Sequence, residues 1–175
     1  SYIQQLWDFW ENHLDPDRGE RKDELQPLPT LPERVEGKVV MVTGATSGIG
    51  KASALKLARA GATVLVIART AEKLEETLHE IDQLGGTAQA YSCDVSDLTD
   101  VDNLVQQVLA DHGHVDILVN NAGRSIRRSV VHAFDRFHDY ERTMQLNYFG
   151  ALRLIMQLMP SMIENGGGHV INLSL

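Results

Sequence analysis

The sequence has a single cysteine and no apolar stretch long enough to cross a membrane. Cys93, the only thiol, cannot form an internal disulfide, and such cysteine usage is typical of proteins in a reducing compartment. The apolar runs stay well below the ~18 residues of a membrane span. The N-terminal residues lack the layout of a secretory signal. These absences predict a cytoplasmic protein without a transmembrane segment.

Positive charge is also scarce. The 175 residues include 16 lysines and arginines against 24 aspartates and glutamates, so the formal net charge is −8. Nucleic-acid-binding proteins usually present a basic surface, and the composition therefore argues against a nucleic-acid partner. No carboxylate or cysteine set at ligand spacing accompanies His112 and His114, so no metal site is predicted.

Residues 1–33 differ from the rest of the chain. Apolar residues recur at helical spacing near the start and include Trp7 and Trp10, and Asp15-Pro16 then ends the pattern. A charged stretch with several prolines follows. We expect an N-terminal helix and a proline-rich connector over residues 1–33, and a second domain over residues 34–175. The helix either packs on this domain or connects it to a preceding one.

From Gly37 onward, apolar runs of strand length alternate with helical patterns. A long helix is predicted over residues 139–165, with an interruption near Pro160. Repeated βαβ units of this kind predict an α/β fold, a doubly wound parallel sheet of the Rossmann type with strand order 3-2-1-4-5. The sheet is expected to be truncated before its last strands. The predicted strands are 39–43, 63–68, 88–93, 115–119 and 170–173.

A glycine-rich turn follows the first predicted strand and opens a helix. Gly44 allows the turn, Gly48 removes side-chain bulk near a bound pyrophosphate, and Gly50 permits close packing of the helix on the sheet. A glycine-rich turn alone is a weak signal, but the strand before it and the helix after it strengthen it. The turn is predicted to bind a dinucleotide with its glycines and with Thr46, Ser47 and Ile49.

The end of the second strand indicates which dinucleotide is bound. Enzymes that use NAD place a carboxylate there to hold the ribose 2′-hydroxyl, whereas an arginine accommodates the 2′-phosphate of NADP. This chain has Arg69 and no carboxylate, and a guanidinium can pair with a phosphate as a planar fork. NADP(H) is therefore favoured over NAD(H). The alternative is a solvated cation at the start of a helix.

Together with Asn120-Asn121-Ala122-Gly123 after the fourth strand, this turn resembles the short-chain dehydrogenase/reductase family, which transfers hydride between NAD(P) and a carbonyl or alcohol. The resemblance implies that Asp94 and Val95 flank the adenine ring. It implies that residues 121–123 lie along the nicotinamide-side ribose and that Asn120 is partly structural. It also implies that Asn147 is the active-site asparagine, whose backbone helps to hold a water molecule of the proton relay.

The fifth strand is followed by Ser174 and Leu175, where the family usually has two serines, of which the second is catalytic. Leucine cannot orient a carbonyl oxygen. Three alternatives stay open. The catalytic serine has been lost, or residues of the protein are missing from the sequence before Leu175, or Ser174 takes the catalytic role. The family's catalytic Tyr-xxx-Lys motif does not occur in this sequence, so the fragment alone is expected to be inactive.

Residues 123–129 and 134–150 resemble the reductase domain of bacterial fatty acyl-CoA reductases, some of which have two domains. The resemblance implies a fatty acyl-CoA or fatty aldehyde substrate and a homo-oligomer. Arg124, Arg127 and Arg128 form a basic patch that can hold CoA phosphates. Alternatively, they pair with nearby carboxylates such as Asp135 or Asp139. Two other functions stay open: a reductase of another ketone or alcohol, and a dinucleotide-binding module without catalysis.

Overall fold

The computed structural model describes residues 29–126, 129, 131 and 134–173. The contacts divide the chain between Thr30 and Leu31, and the description below concerns the unit that begins at Leu31. The helix predicted before Asp15-Pro16 lies outside the described residues. The first described helix is α1, Leu31–Val35, which the sequence pattern does not predict.

Five parallel strands form one sheet in the order β3-β2-β1-β4-β5. The predicted fold class and strand order are therefore confirmed. Each strand begins or ends within two residues of its predicted bounds, because the apolar runs that mark buried parallel strands are short and well separated. The strands are β1 Val39–Thr43, β2 Thr63–Ala68, β3 Thr87–Ser92, β4 Ile117–Asn120 and β5 His169–Asn172.

Helices connect the strands and cover both faces of the sheet. Val40, Val42 and Val64 point to one face, where they pack with Ala54 and Leu74. On the other face, two further helices pack on the alternate strand residues. The helices after α1 are α2 Gly48–Arg59, α3 Ala71–Gln83, α4 Leu98–His112, α5 Phe137–Met144 and α6 Ala151–Glu164. Within the described part of the chain, no helix is long and apolar enough to span a bilayer.

In the described part of the chain, no side chain caps the start of α3. Thr70 occupies the N-cap position with extended backbone, but its side chain forms no capping hydrogen bond. The first N–H groups of α3 therefore keep their capacity to donate. Asp97 caps α4 through its carboxylate, which accepts from the N–H groups of Thr99 and Asp100 at 2.9 and 3.2 Å.

The long helix predicted over residues 139–165 is interrupted, but not near Pro160. A π-helical segment, Gln145–Gly150, separates α5 from α6, and α6 continues through Pro160. Pro160 lies on the exposed side of α6, so the carbonyl group that loses its N–H partner can be hydrated. The π-helical segment contains Asn147, and such segments often occur at functional sites.

An ion pair between α4 and α6 holds the helix that follows Asn147. The Arg153 guanidinium donates from Nε and Nη2 to the two carboxylate oxygens of Asp102, at 2.7 and 2.6 Å, and Gln157 Nε2 donates to Oδ1 at 3.0 Å. These hydrogen bonds and the charge of Arg153 hold the pKa of Asp102 below its ordinary value. The carboxylate therefore stays ionised in the folded protein at neutral pH.

This lowered pKa predicts a pH-dependent effect of Asp102→Asn. A carboxylate whose pKa is lowered by folding stabilises the protein above its unfolded pKa of about 3.9, and this stabilisation disappears as the pH falls through the lower, folded pKa. Urea unfolding should therefore show Asp102→Asn to be destabilising at pH 7, with a difference that shrinks below about pH 4. Asp82→Asn, on the exposed face of α3, is the control. A difference independent of pH would contradict the assignment.

Candidate functional site

The candidate site lies at the carboxyl ends of the strands, where the direction of the winding changes. β1 lies between β2 and β4, so the chain passes from β1 to β2 and β3 on one side and to β4 and β5 on the other. In open parallel sheets, ligands bind in the crevice that this reversal opens. The segments that leave β1, β2, β3 and β4 meet there.

Thr43 and Asn121 join the glycine-rich turn to the end of β4. The Thr43 hydroxyl accepts from the N–H groups of Asn121 and Ala122, both at 3.0 Å. In return, Asn121 Nδ2 donates to the carbonyl oxygens of Thr43 at 2.9 Å and Gly44 at 3.2 Å. Because Thr43 is 1% exposed, these hydrogen bonds are shielded from water and hold the two segments together.

The backbone geometry and the surroundings of the turn differ from one glycine to the next. Gly44 has a φ of +65° and Gly48 a φ of +52°, a conformation that other residues rarely adopt. Around Gly48 no atom lies within 4 Å of an added Cβ, so this side of the turn is open to a ligand. A Cβ on Gly50 would instead overlap the carbonyl oxygen of Gly44 and the side-chain amide of Asn121.

A groove of about 320 Å³ runs along these strand ends, and we call it the strand-end groove. Most of the predicted cofactor residues line it, and Thr70, Lys73 and Leu146 line it in addition. Ile49 is 64% exposed and faces a separate apolar groove on the other side of the turn. The predicted residues that line the strand-end groove are Gly44, Thr46, Ser47, Arg69, Asp94, Val95, Asn121, Ala122 and Gly123.

Charges of both signs line one end of the strand-end groove. Arg69 Nη1 lies 3.8 Å from Asp94 Oδ2, and the Arg69 side chain is 71% exposed. Burial alone would raise the pKa of Asp94, but two hydrogen bonds from Ser96 and the charge of Arg69 lower it below its ordinary value. Lys73 also lines the groove, one helical turn after Arg69 and Thr70. This end therefore offers two cations, the uncapped start of α3 and one ionised carboxylate.

Cys93 lines the groove but is not a nucleophile. The residue is 2% exposed, and burial together with the carboxylates of Asp100 and Asp94 raises the pKa of the thiol to about 12. A thiol that stays protonated at neutral pH is weakly reactive. Cys93 is therefore a small core residue.

Asn147 is tied by its side chain to the loop that leaves β4. Its Oδ1 accepts from the N–H of Arg124 and its Nδ2 donates to the carbonyl oxygen of Arg124, both at 2.9 Å. Arg124 is exposed and, among the described residues, its guanidinium forms no ion pair. Asp139, one of the carboxylates considered as an alternative partner of the loop arginines, accepts from Arg136 Nε at 2.8 Å. Arg127 and Arg128 lie outside the described residues.

A second cavity of about 370 Å³ adjoins the strand-end groove at Ala122 and Gly123, and we call it the Asn120 cavity. Its polar side chains include Asn120, Asn147 and Asn172, and its walls are apolar residues of α6. Ser174 and Leu175 lie outside the described residues. In the described part of the chain, no group of three or more histidine, cysteine or acidic side chains lies close enough to hold a metal ion.

The sequence-based prediction misses Thr43, Thr70, Lys73 and Leu146, which the structure places at the site, and the partner of Asn120. The role of Thr43 depends on its contact with a segment 78 positions away. Lys73 follows Arg69 by one helical turn, a spacing visible in the sequence once α3 is placed. The pairing of Asn120 with Asn172 requires the register of β4 and β5.

Comparisons with known proteins agree with this geometry. A sequence model of the short chain dehydrogenase family matches residues 38–174. A fatty acyl-CoA reductase of Acinetobacter baylyi is 56% identical over 142 residues, which cover 81% of this chain and 48% of that protein. A fatty acyl-CoA reductase of Mycobacterium tuberculosis is 46% identical over 143 residues, 82% of this chain and 49% of that protein. The chain thus spans about half the length of these curated relatives.

The fold also matches solved structures. A metagenomic short-chain oxidoreductase, crystallised in complex with NADP, superposes with a TM-score of 0.76 at 37% sequence identity. The match covers 80% of this chain and 63% of that one. The similarity therefore extends over most of the present chain.

Proposed function

The chain belongs to the short-chain dehydrogenase family, and on that premise we propose that it is the nucleotide-binding part of an NADPH-dependent reductase of long-chain fatty acyl carbonyls. The reaction converts an acyl-CoA thioester to an aldehyde, an aldehyde to an alcohol, or both in sequence. The observation that carries the proposal is the strand-end groove with Arg69 and Lys73 at one end, in a chain 56% identical to a fatty acyl-CoA reductase over 142 residues.

The residues of the strand-end groove fit a dinucleotide. The N–H groups at the start of α2 would hold the pyrophosphate, and Asp94 and Val95 would hold the adenine ring. Arg69 and Lys73 would pair with the 2′-phosphate, and no carboxylate at the end of β2 would compete for a ribose hydroxyl. NADPH, when bound, supplies the hydride that reduces the carbonyl carbon.

Asn147 and Ser174 are the proposed catalytic residues of this chain. Asn147 is an exposed residue of the π-helical segment and lines the Asn120 cavity, a position from which its backbone could help to hold a water molecule for proton transfer. Ser174 follows β5 and is proposed to orient the carbonyl oxygen by donating a hydrogen bond. Reduction of a carbonyl consumes one proton, and this chain contains no Tyr-xxx-Lys motif, so the proton donor belongs to the remainder of the protein.

The loop after β4 is proposed to bind the CoA part of the substrate. Arg124 is exposed beside the Asn120 cavity, and Arg127 and Arg128 follow it in the sequence. Three cations in a protein of net charge −8 attract an anionic substrate and can hold its phosphates. The Asn147 side chain fixes the start of this loop through both polar groups of the Arg124 backbone.

The test uses the full-length protein with NADPH and three kinds of substrate: palmitoyl-CoA, hexadecanal and small ketones. Turnover of palmitoyl-CoA or hexadecanal, with none of small ketones, is expected. Turnover of small ketones alone would instead support a reductase of another carbonyl. NADPH binding without turnover of any substrate would support a binding module without catalysis.

The same assay tests the basic loop. Arg127→Ala combined with Arg128→Ala should raise KM for palmitoyl-CoA about tenfold, because charge-assisted contacts with phosphate are lost. KM for hexadecanal, which carries no phosphate, should not change. Arg142→Ala, an exposed arginine of α5, is the control. An equal rise of both KM values would mean that the loop arginines have a structural role.

We also propose that the protein is a homo-oligomer. Tyr140, Met144, Tyr148, Leu152 and Met156 are spaced four residues apart along α5, the π-helical segment and α6, and each is between 37% and 62% exposed. An exposed apolar stripe of this length supports burial against another chain.

Residues 1–33 are proposed to form a connector, with a preceding domain in the longer protein.

A further inference from the structure

A buried glycine ends the π-helical segment that contains Asn147, although its backbone conformation does not require glycine. Gly150 has a φ of −63° and a ψ of −46°, an ordinary helical conformation, and it is buried. Within a helix, glycine is less favourable than alanine because it loses more conformational freedom on folding. A glycine at this position therefore needs a reason other than its own φ and ψ.

The reason is a close contact with the loop that follows β3. A Cβ added to Gly150 would overlap the carbonyl oxygen of Val95 and would lie 2.7 Å from Val95 Cγ1. Val95 is 5% exposed and belongs to the core that α4 and α6 form with the sheet. The π-helical segment thus packs directly on main chain, and a methyl group has no room between them.

The loop after β3 is the fixed partner in this contact. The Asp94 N–H donates to Asp100 Oδ2 at 2.7 Å, and the Asp97 N–H donates to the Asp94 carbonyl oxygen at 2.8 Å. Asp100 belongs to α4 and Asp97 caps it, so these hydrogen bonds tie the loop around Val95 to that helix. A methyl group on Gly150 would therefore displace the π-helical segment rather than the loop.

The π-helical segment joins the nucleotide groove to the loop that leaves β4. Leu146 lines the strand-end groove together with Val95. The next residue, Asn147, binds the N–H and the carbonyl oxygen of Arg124 through its side-chain amide. A displacement of the segment at Gly150 would shift Asn147 relative to a nucleotide that Val95 holds.

We propose that Gly150 is a positioning residue for the reaction: its contact with the Val95 main chain seats the π-helical segment and thereby sets the place of Asn147 relative to the bound cofactor. The consequence for catalysis rests on the proposed function. The structural part, the seating of Asn147 by Gly150, does not depend on the identity of the substrate.

Gly150→Ala in the full-length protein is the direct test. A displacement of about 1 Å can cost about a hundredfold in rate, so we expect kcat at saturating NADPH to fall about tenfold or more. The dissociation constant of NADPH should change by less than about threefold, because the residues that bind its phosphates lie elsewhere. The solvent deuterium isotope effect on kcat should rise, because the impaired step is a proton transfer.

A second readout needs no substrate. The Arg124 N–H donates to Asn147 Oδ1 at 2.9 Å, so hydrogen exchange of this amide reports the place of Asn147. Exchange should be about fivefold faster in Gly150→Ala, which is the order of effect of one lost hydrogen bond.

Gly86→Ala is the matched control. Gly86 lies between α3 and β3, at the edge of the sheet opposite to the strand-end groove. It has no positive φ, and a Cβ there would press on Ala58 and Ile81. This variant should lower Tm through overpacking, as Gly150→Ala does. It should leave kcat, the isotope effect and the exchange of the Arg124 amide unchanged.

Val95→Ala keeps the test decisive if Gly150→Ala does not fold. It removes the Cγ1 that lies against Gly150 and adds no overlap. We expect kcat at saturating NADPH to fall about threefold or more, with faster exchange of the Arg124 amide. Val108→Ala makes the same deletion at a fully buried position of α4 in the same core and should lower stability only.

The outcomes are distinct. If Gly150→Ala lowers only Tm, as Gly86→Ala does, with wild-type kcat and wild-type exchange of the Arg124 amide, the inference is wrong. Faster exchange with an unchanged kcat would contradict its catalytic part. If the wild-type protein reduces no fatty acyl substrate, the proposed function fails, and the exchange of the Arg124 amide still decides whether Gly150 seats Asn147.

Discussion

Arg69→Asp is expected to weaken NADPH binding about tenfold or more, since an attractive contact with the 2′-phosphate becomes a repulsive one. NADH carries a hydroxyl in place of this phosphate, and the new carboxylate can accept a hydrogen bond from it. Affinity for NADH should therefore stay the same or rise. The measurement is a fluorescence titration of each cofactor, and the quantity of interest is the ratio of the two dissociation constants.

Two control variants make this test specific. Arg59→Asp makes the same change in net charge at the exposed C-terminal end of α2, far from the carboxyl ends of the strands, and should leave both affinities unchanged. Lys73→Ala should weaken NADPH binding by at most about fivefold, because an exposed ion pair contributes up to about 1 kcal/mol. An unchanged NADPH affinity in Arg69→Asp would show that the 2′-phosphate is held elsewhere.

The geometry of Arg69 in the structure is consistent with a role in binding the 2′-phosphate. Its side chain is 71% exposed, and its carboxylate partner among the described residues, Asp94 Oδ2, lies 3.8 Å away. A contact of that length on the surface is weak, so the side chain can turn towards a phosphate at little cost. Asp94 meanwhile keeps its charge through the hydrogen bonds from Ser96, which do not depend on Arg69.

The parts of the site that the sequence predicts are local ones. The turn from Gly44 to Gly50 and the arginine after β2 lie within a few residues of the strand that positions them, so spacing alone indicates their place. Short apolar runs separated by helical patterns likewise predict the parallel sheet, because βαβ units leave few alternative topologies. The order of the five strands is confirmed for this reason.

The parts that sequence reasoning misses depend on neighbours in space. Thr43 joins two strands 78 positions apart, and the pairing of Asn120 with Asn172 spans 52 positions. Proline is a recognisable breaker of helices, so the sequence predicts the interruption near Pro160. The structure instead interrupts the helix beside Asn147, in the π-helical segment Gln145–Gly150, which contains no proline.

Gly50→Ala is expected to have the second large effect on NADPH binding, and steric overlap is its only cause. Gly50 does not have a positive φ, and within a helix alanine is more favourable than glycine by up to about 1 kcal/mol. Any loss must therefore come from the new methyl group, which would overlap the Gly44 carbonyl oxygen and the Asn121 amide. We expect NADPH affinity to fall about tenfold or more and the free energy of unfolding to fall by about 1–3 kcal/mol.

Two comparisons identify this contact as the cause. Gly113→Ala, at the end of α4, has a φ of +78° and no atom within 4 Å of its Cβ, so it should lower stability by about 1–2 kcal/mol through backbone strain and leave NADPH affinity unchanged. Adding Asn121→Ala to Gly50→Ala removes one of the two overlapping groups, but the carbonyl of Gly44 is main chain and cannot be removed. The double variant should therefore still bind NADPH weakly. Wild-type affinity in Gly50→Ala would instead mean that the turn can move away from β4 without losing the pyrophosphate, and that the hydrogen bonds of Thr43 and Asn121 do not determine its shape.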